Sequence, residues 1–285
     1  MKRAVVVGAL SFVGYHLVQK LLLEGTEVIA LDIESLLELS PLNEEKLLLI
    51  GRHANFSYDS IESGETWREA CEQAPDIVYF CLCEPNQMIE FPEQSLVQRT
   101  LDEAISFCRK HEKQLVMLSS LNASVASADI EKSSGTANGA WFYTLEKKLE
   151  KLAPSFAVLR VPTVYGPWQP SFMIYHQLII SKEANVEVQE NSNDAVYVED
   201  VAQCLYRFGA ERISGTYYIE SEEAGQWKKG IELLCGNGNI GTVESKSQLK
   251  IGTRYLYRPS CSLQEGLEQQ ILHVNKYKQL YKDMK

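Results

Sequence analysis

The chain has 285 residues, of which 45% are hydrophobic and 23% charged, and these proportions are typical of a globular protein that buries a core. Its net charge of −10 argues against a nucleic-acid partner, because binding to a phosphate backbone needs clustered lysine and arginine. No apolar run approaches the roughly 20 residues that a membrane helix needs, so we expect no membrane association.

The cysteines and histidines give no sign of a metal site. Seven cysteines stand mostly in apolar contexts without a Cys-x-x-Cys pair, which favours reduced thiols in a cytoplasmic protein. The five histidines are scattered without the spacing of metal ligands, so we predict no metal.

Strand and helix patterns alternate from the start of the chain. Residues 3–8 are a mostly apolar run typical of a buried strand, Phe12–Leu23 has helical periodicity and ends near Gly25, and Glu27–Asp32 is a second strand. Further strands are predicted at Lys46–Ile50, Asp76–Leu82, Gln114–Ser119, Phe156–Arg160 and Thr216–Glu220, and helices at Thr66–Gln73, Gln94–His111, Ala140–Leu152 and Val198–Phe208. This order predicts an α/β protein with a doubly wound, mainly parallel sheet.

The regular alternation of strands and helices ends after residue 166, which suggests that the chain forms two domains. We predict a Rossmann domain at residues 1–165, to which residues 195–221 return, and a smaller substrate-binding lobe at 166–285, formed mainly by 166–194 and 222–285. Such a lobe would lie over the carboxyl ends of the strands, where ligands bind in open α/β sheets.

The first turn, from Gly8 to Gly14, resembles a nucleotide fingerprint. Gly8 allows a sharp strand-to-helix turn, and Gly14 allows close packing of the helix on the strand. Asp32 ends the second strand at the spacing where a carboxylate meets the adenosine ribose, and it should repel a 2′-phosphate, so the pattern favours NAD over NADP. Ser11 replaces the usual middle glycine, and its hydroxyl could either crowd the phosphates or bind them.

A tyrosine and a lysine, Tyr143 and Lys147, stand four residues apart in a predicted helix and therefore share one face. An ammonium stabilises a nearby phenolate, so this pair is a workable general acid–base unit for alcohol–ketone interconversion. Ser119 and Ser120 close the fifth strand at the edge where ligands bind, and a hydroxyl there can bond to the reacting oxygen.

With these motifs in order, the sequence resembles the extended short-chain dehydrogenase/reductase family, which includes nucleotide-sugar epimerases, dehydratases and reductases. The resemblance rests on the Gly8–Gly14 turn with Phe12-Val13, Asp32, Leu118-Ser119-Ser120, Tyr143 with Lys147, the run from Leu159 to Pro167, the run from Ala195 to Ala202, and the segment from Pro259 to Leu267. It covers nearly the whole chain.

The resemblance implies roles for individual residues. Tyr143 is implied as the acid/base, Lys147 as the group that orients the nicotinamide ribose, and Ser120 as the group that binds the reacting oxygen. The implied cofactor contacts are Gly8, Ser11, Phe12, Val13, Gly14, Asp32, Cys81, Leu82, Ser119, Lys147, Val161, Pro162 and Val164. The candidate substrate contacts are Leu121, Asn122, Tyr165, Trp168, Asn193 and Arg258.

Departures from the family pattern narrow the expected chemistry. Leu121-Asn122 stands where the 4,6-dehydratases carry Asp-Glu, which disfavours elimination. Asn193 stands where an arginine usually meets the sugar-nucleotide phosphate. We therefore expect an NAD-dependent nucleotide-sugar epimerase or 4-keto reductase, with two alternatives: a reductase or dehydrogenase of a small non-nucleotide carbonyl compound, and a non-catalytic NAD-binding regulator. By analogy we also expect a homodimer formed through helices at residues 94–111 and 140–152.

Overall fold

The computed structural model describes residues 1–33, 40–61, 64–84, 93–124, 137–181, 194–223, 225–235 and 250–282. Its main sheet has eight parallel strands in the order β10-β9-β6-β5-β4-β1-β2-β3. The strands of this sheet are β1 (Arg3–Val7), β2 (Glu27–Asp32), β3 (Phe56–Ser60), β4 (Ile77–Phe80), β5 (Gln114–Ser120), β6 (Phe156–Val161), β9 (Gly215–Ser221) and β10 (Thr253–Tyr257). Two short parallel strands, β7 (Thr163–Tyr165) and β8 (Ala195–Tyr197), pair with each other. The predicted doubly wound parallel sheet is confirmed.

Helices cover both faces of the main sheet. The helices that the structure describes are α1 (Phe12–Leu23), α2 (Pro41–Ile50), α3 (Gly64–Glu72), α4 (Glu93–His111), α5 (Ala137–Leu152), α6 (Ile174–Ser181), α7 (Val198–Ala210), α8 (Gln226–Cys235), α9 (Leu263–Lys276) and α10 (Lys278–Lys282). One hydrophobic core lies between the sheet and α1 with α7, and a second lies between the sheet and α3, α4 and α5. Because alternate residues of a strand face opposite sides, each central strand contributes to both cores.

The strand order puts the predicted site residues at one edge. β1 pairs with β2 and β4, and β5 pairs with β4 and β6, all in parallel. The carboxyl ends of these strands therefore meet along one side of the sheet, where Gly8, Asp32, Cys81 and Ser120 follow or end their strands. Ligands bind at this edge in open α/β sheets.

The predicted third strand is wrong. Lys46–Ile50 belongs to helix α2, and the third strand is Phe56–Ser60, which pairs with β2. Ser40 caps the helix by accepting a hydrogen bond from the Asn43 amide, and Pro41 occupies its first turn, where proline is favoured. A short apolar run such as Leu47–Ile50 does not distinguish a strand from a buried helical segment.

A third hydrophobic cluster lies beside the main sheet. It is formed by residues of β7, α6, β8, α8 and α9, among them Tyr165, Tyr175 and Trp227. The predicted lobe was formed mainly by residues 166–194 and 222–285; within the second range, β10 pairs in register with β9 and extends the main sheet. The predicted boundary between Rossmann domain and lobe stays a prediction. Among the residues that the structure describes, no helix is long and apolar enough to cross a membrane.

Candidate functional site

The turn between β1 and α1 requires glycine at both of its ends. Gly8 has a φ of +83°, and a Cβ added there would lie 2.5 Å from the backbone of Cys81 and Leu82. A Cβ on Gly14 would lie 1.9 Å from the carbonyl oxygen of Gly8. Both glycines are therefore required by close backbone approach, which places the start of α1 directly against the ends of β1 and β4.

Ser11, which replaces the middle glycine, is the N-cap of α1. Its side-chain oxygen accepts a hydrogen bond from the Gly14 amide at 3.0 Å, and the side chain is buried. The hydroxyl thus satisfies one of the amides that a helix start leaves without a partner. Whether Ser11 crowds the phosphates of a cofactor or binds them stays a prediction.

Asp32 lies at the end of β2, directly behind the turn. Its Oδ2 accepts a hydrogen bond from the Leu10 amide at 2.9 Å, and its other oxygen, Oδ1, is buried without a hydrogen-bond partner among the described residues. Complete burial raises the pKa of Asp32, although the Leu10 amide and the nearby Lys46 act in the opposite direction. A ribose hydroxyl could donate to Oδ1, which is buried in this structure.

Two charged residues that sequence reasoning missed converge on the same turn. Glu84, four residues beyond β4, accepts a hydrogen bond from the Phe12 amide through Oε1. Lys46, on α2, donates from Nζ to the Leu10 carbonyl oxygen at 2.6 Å. Both side chains are at least 93% buried. Burial raises the pKa of Glu84 and lowers that of Lys46, and their mutual attraction partly offsets both shifts.

The turn residues fit a dinucleotide, except that a side chain of the protein already occupies one backbone amide. The N-terminus of α1 attracts an anion, and Oδ1 of Asp32 lacks a donor among the described residues. The Phe12 amide, however, is held by Glu84. A phosphate could use this amide only after the carboxylate of Glu84 has moved.

A buried network joins helix α5 to the end of β5. Glu146 on α5 accepts hydrogen bonds from Ser119 Oγ at 2.5 Å and from Arg160 Nε at 3.0 Å. Arg160, on β6, also donates to Ser124 Oγ and to the Ile251 carbonyl oxygen. This network fixes α5 against the carboxyl ends of β5 and β6.

The predicted catalytic residues lie on both sides of that network. Tyr143 and Lys147 share one flank of α5, with the Lys147 ammonium 5.5 Å from the centre of the Tyr143 ring. Tyr143 is half-buried, whereas Lys147 is exposed and forms an ion pair with Glu150 at 2.6 Å. Ser120 is fully buried at the end of β5, and its hydroxyl accepts from the Asn122 amide at 3.2 Å. Their proposed catalytic roles stay predictions.

The other predicted cofactor contacts are buried at the same edge of the sheet. They are Phe12, Val13, Cys81, Leu82, Val161, Pro162 and Val164. Leu121, a predicted substrate contact, is also buried, and its amide donates to the Val161 carbonyl oxygen at 2.9 Å. Burial raises the pKa of the Cys81 thiol, which favours a packing role over thiolate chemistry.

The remaining predicted substrate residues are dispersed. Tyr165 is buried against Tyr175 and Tyr197 in the third cluster, and Trp168 packs against Tyr15, His273 and Tyr277. Trp168, predicted as a substrate contact, is thus buried in aromatic packing. Arg258 is exposed beyond the end of β10, and Asn193 lies outside the described residues.

No group of three or more metal-ligating side chains occurs in the described part of the chain. A doubly wound parallel sheet with a glycine turn after β1 and a Tyr-x-x-x-Lys helix beside β5 defines a Rossmann-type protein of the extended short-chain dehydrogenase/reductase class. The model of the NAD dependent epimerase/dehydratase family matches residues 4–219, and the chain belongs to this family. The predicted family is thereby confirmed, and the class is one of enzymes.

Individual relatives are distant in sequence but similar in fold. Protein CapI of Staphylococcus aureus is 23% identical over 230 residues, which are 72% of this chain and 68% of that protein. The dTDP-glucose 4,6-dehydratase of Bacillus anthracis, solved in complex with NAD, is 14% identical with a TM-score of 0.72, and the alignment covers 100% of both chains. The UDP-glucose 4-epimerase of Thermotoga maritima, solved with UDP-glucose, is 19% identical with a TM-score of 0.67, covering 97% of this chain and 99% of that one. These likenesses show the fold.

Proposed function

We propose that this chain is an NAD-dependent enzyme that acts on a nucleotide-activated sugar as an epimerase or a 4-keto reductase. The observation that carries the proposal is the network from Ser119 through Glu146 to Arg160, which holds the Tyr143–Lys147 flank of α5 beside the end of β5. The glycine turn after β1 opens at the same edge of the sheet. The nicotinamide of a bound NAD and the acid–base groups Tyr143 and Lys147 would thus meet at the carboxyl edge of the sheet.

In the proposed mechanism, the chain's own residues bind the substrate oxygen and move a proton. The Tyr143 hydroxyl exchanges a proton with a sugar oxygen, and the Lys147 ammonium stabilises the phenolate that results. For this role Lys147 leaves its exposed ion pair with Glu150, which costs little because such pairs contribute at most about 1 kcal/mol. Ser120 holds the reacting oxygen. When bound, the nicotinamide would supply the hydride chemistry.

The nucleotide-sugar substrate class rests on membership of the family and on solved relatives of the same fold. Among them, a UDP-glucuronic acid 4-epimerase of Bacillus cereus was solved with a UDP-sugar and NAD. Leu121 and Asn122 follow Ser120 in place of the acidic pair of the 4,6-dehydratases, so the proposal excludes elimination. The cytoplasmic location and a homodimer through α4 and α5 remain predictions.

The test is substitution of the tyrosine that would carry the proton. We expect Tyr143→Phe to bind NAD as the unsubstituted protein does and to lose turnover by a factor of about 10² to 10⁴. Tyr206→Phe is the matched control, because Tyr206 lies on α7 and its hydroxyl donates to the exposed Glu24. Turnover of Tyr143→Phe at the unsubstituted rate would refute the proposed role.

A second candidate is reduction or oxidation of a small carbonyl compound without a nucleotide. The burial of Tyr165 and Trp168 favours it, because two aromatic residues expected to meet a nucleotide sugar are used in packing. Thermal shifts with UDP-, dTDP- and GDP-sugars separate the candidates, since only a nucleotide-sugar enzyme is stabilised by the nucleotide. The non-catalytic alternative predicts NAD binding and no turnover with any of these compounds.

A further inference from the structure

A carboxylate of the chain itself, that of Glu84, already binds at the N-terminus of α1. The Phe12 amide donates to the carboxylate of Glu84, which lies 72 residues away in sequence. The second oxygen, Oε2, is buried and has no hydrogen-bond partner among the described residues. A half-satisfied buried carboxylate at a helix N-terminus occupies the kind of position that a phosphate takes.

A cation, Lys46, lies near enough to this carboxylate to favour its charged form. The Lys46 ammonium bonds to the Leu10 carbonyl oxygen, two residues before the Phe12 amide. It also lies 5.8 Å from the Tyr15 ring centre and 5.7 Å from that of Trp168, which hold it at the turn. Lys46 and Glu84 attract each other, so the ammonium offsets the charge of any anion at this position.

We propose that Glu84 occupies the pyrophosphate position of the nucleotide site, that a dinucleotide binds by displacing this carboxylate from the Phe12 amide, and that Lys46 then pairs with the incoming phosphate. The inference rests on the proposed function, because it concerns the same nucleotide site. It makes Glu84 and Lys46 determinants of dinucleotide affinity with opposite signs.

The physical reason is competition between like charges. A carboxylate and a phosphate cannot both accept from one amide, and two anions placed together in a buried site repel each other strongly. A Glu84 side chain without charge would yield the amide more readily. An uncharged residue at Lys46 would leave the phosphate without its cation. Both effects should be confined to ligands that contain the pyrophosphate.

The test is calorimetric titration of the ligand-free protein with NAD, ADP-ribose and adenosine. We expect Glu84→Gln and Glu84→Ala to tighten the binding of NAD and ADP-ribose by about tenfold or more, and Lys46→Met to weaken it by about tenfold or more. Adenosine, which lacks phosphate, should bind equally to the unsubstituted protein and to the two Glu84 variants. Glu268→Gln, on the exposed surface of α9, and Lys110→Met, on the exposed surface of α4, are the charge-matched controls and should bind like the unsubstituted protein.

A double variant at Lys46 and Glu84 distinguishes a loss of binding from a loss of folding. Lys46→Met leaves Glu84 and Asp32 buried without their cation, so Lys46→Met combined with Glu84→Gln provides a variant with less uncompensated charge. This double variant should bind ADP-ribose more tightly than Lys46→Met alone.

Two outcomes overturn the inference. One is unchanged or weaker binding of ADP-ribose to both Glu84 variants, including no binding to any variant. The other is an equal gain for adenosine. The proposed function fails differently: if the Glu84 variants bind NAD more tightly and no sugar nucleotide or small carbonyl compound is turned over, the inference stands and the enzymatic role falls.

Discussion

Glu146 on α5 and Arg160 on β6 form a buried ion pair, with Oε2 and Nη2 2.5 Å apart and neither side chain more than 5% exposed. The same carboxylate accepts from Ser119, and the same guanidinium reaches Ser124 and the Ile251 carbonyl oxygen. The pair therefore connects the helix of the proposed acid–base residues to two strand ends. Loss of this ion pair should change the position of α5 more than that of any other element.

The first prediction concerns this ion pair. Glu146→Gln should lower the free energy of unfolding by about 3–5 kcal/mol, because it leaves the Arg160 charge buried without its partner. Glu150→Gln breaks an exposed pair on the same helix and should cost no more than about 1 kcal/mol. Denaturant unfolding of both variants measures the difference. Equal losses would show that the buried network does not hold α5.

The second prediction concerns the glycine turn. Gly14→Ala should destabilise the protein by about 3 kcal/mol, because its Cβ would lie 1.9 Å from the Gly8 carbonyl oxygen and backbone has to shift. Gly25→Ala is the control: its φ is +74°, but a Cβ there meets nothing within 4 Å, so only about 1 kcal/mol of backbone strain is expected. A Gly14→Ala protein as stable as Gly25→Ala would contradict the close approach of α1 to β1.

Local sequence patterns were sufficient to predict the first strand–helix–strand unit of the fold. Predicted strand 3–8, helix Phe12–Leu23 and strand Glu27–Asp32 correspond to β1, α1 and β2, because continuous apolar runs, 3.6-residue periodicity and glycine stops are all short-range signals. The same holds for the predicted proximity of Tyr143 and Lys147, which follows from helical spacing alone.

Long-range contacts account for what the sequence did not reveal. Glu84 reaches Phe12 across 72 residues and Lys46 reaches Leu10 across 36, and neither contact leaves a local pattern. Lys46 was hidden further by the mistaken strand at Lys46–Ile50. A signal for the helix was present, since Ser40 before Pro41 is a typical helix start, but the apolar run after it outweighed this signal.

The third prediction concerns the cap of α1. Ser11→Ala should lower the free energy of unfolding by about 1 kcal/mol, because the Gly14 amide loses its acceptor. Ser11→Gly should cost only a few tenths of a kcal/mol, since glycine is tolerated as an N-cap. Thermal unfolding of the two variants checks the order. If Ser11→Gly proves less stable than Ser11→Ala, the capping role is wrong.

The last prediction concerns three histidines, which lie on α1, α6 and α9. His16 bonds to the Pro167 carbonyl oxygen, His273 accepts from the Trp168 amide, and His176 packs on Tyr281. Burial is the main cause that lowers the pKa of His16 and of His176 to about 4 and that of His273 to about 3. The folded protein therefore keeps these rings neutral.

Because the unfolded chain takes up protons on these rings below a pH of about 6.5 and the folded chain does not, stability should be complete above that pH and fall as the pH decreases toward 4. Each histidine contributes at most about 1.4 kcal/mol per pH unit to the slope of the free energy of unfolding against pH. Carboxylates titrate in the same range, so the informative quantity is the difference between the unsubstituted protein and His176→Phe, measured by denaturant unfolding between pH 7.5 and 4.5. The variant should show a slope smaller by about one proton between pH 6 and 5. Parallel curves for the two proteins would show that His176 is already protonated in the fold, or that it is neutral in both states.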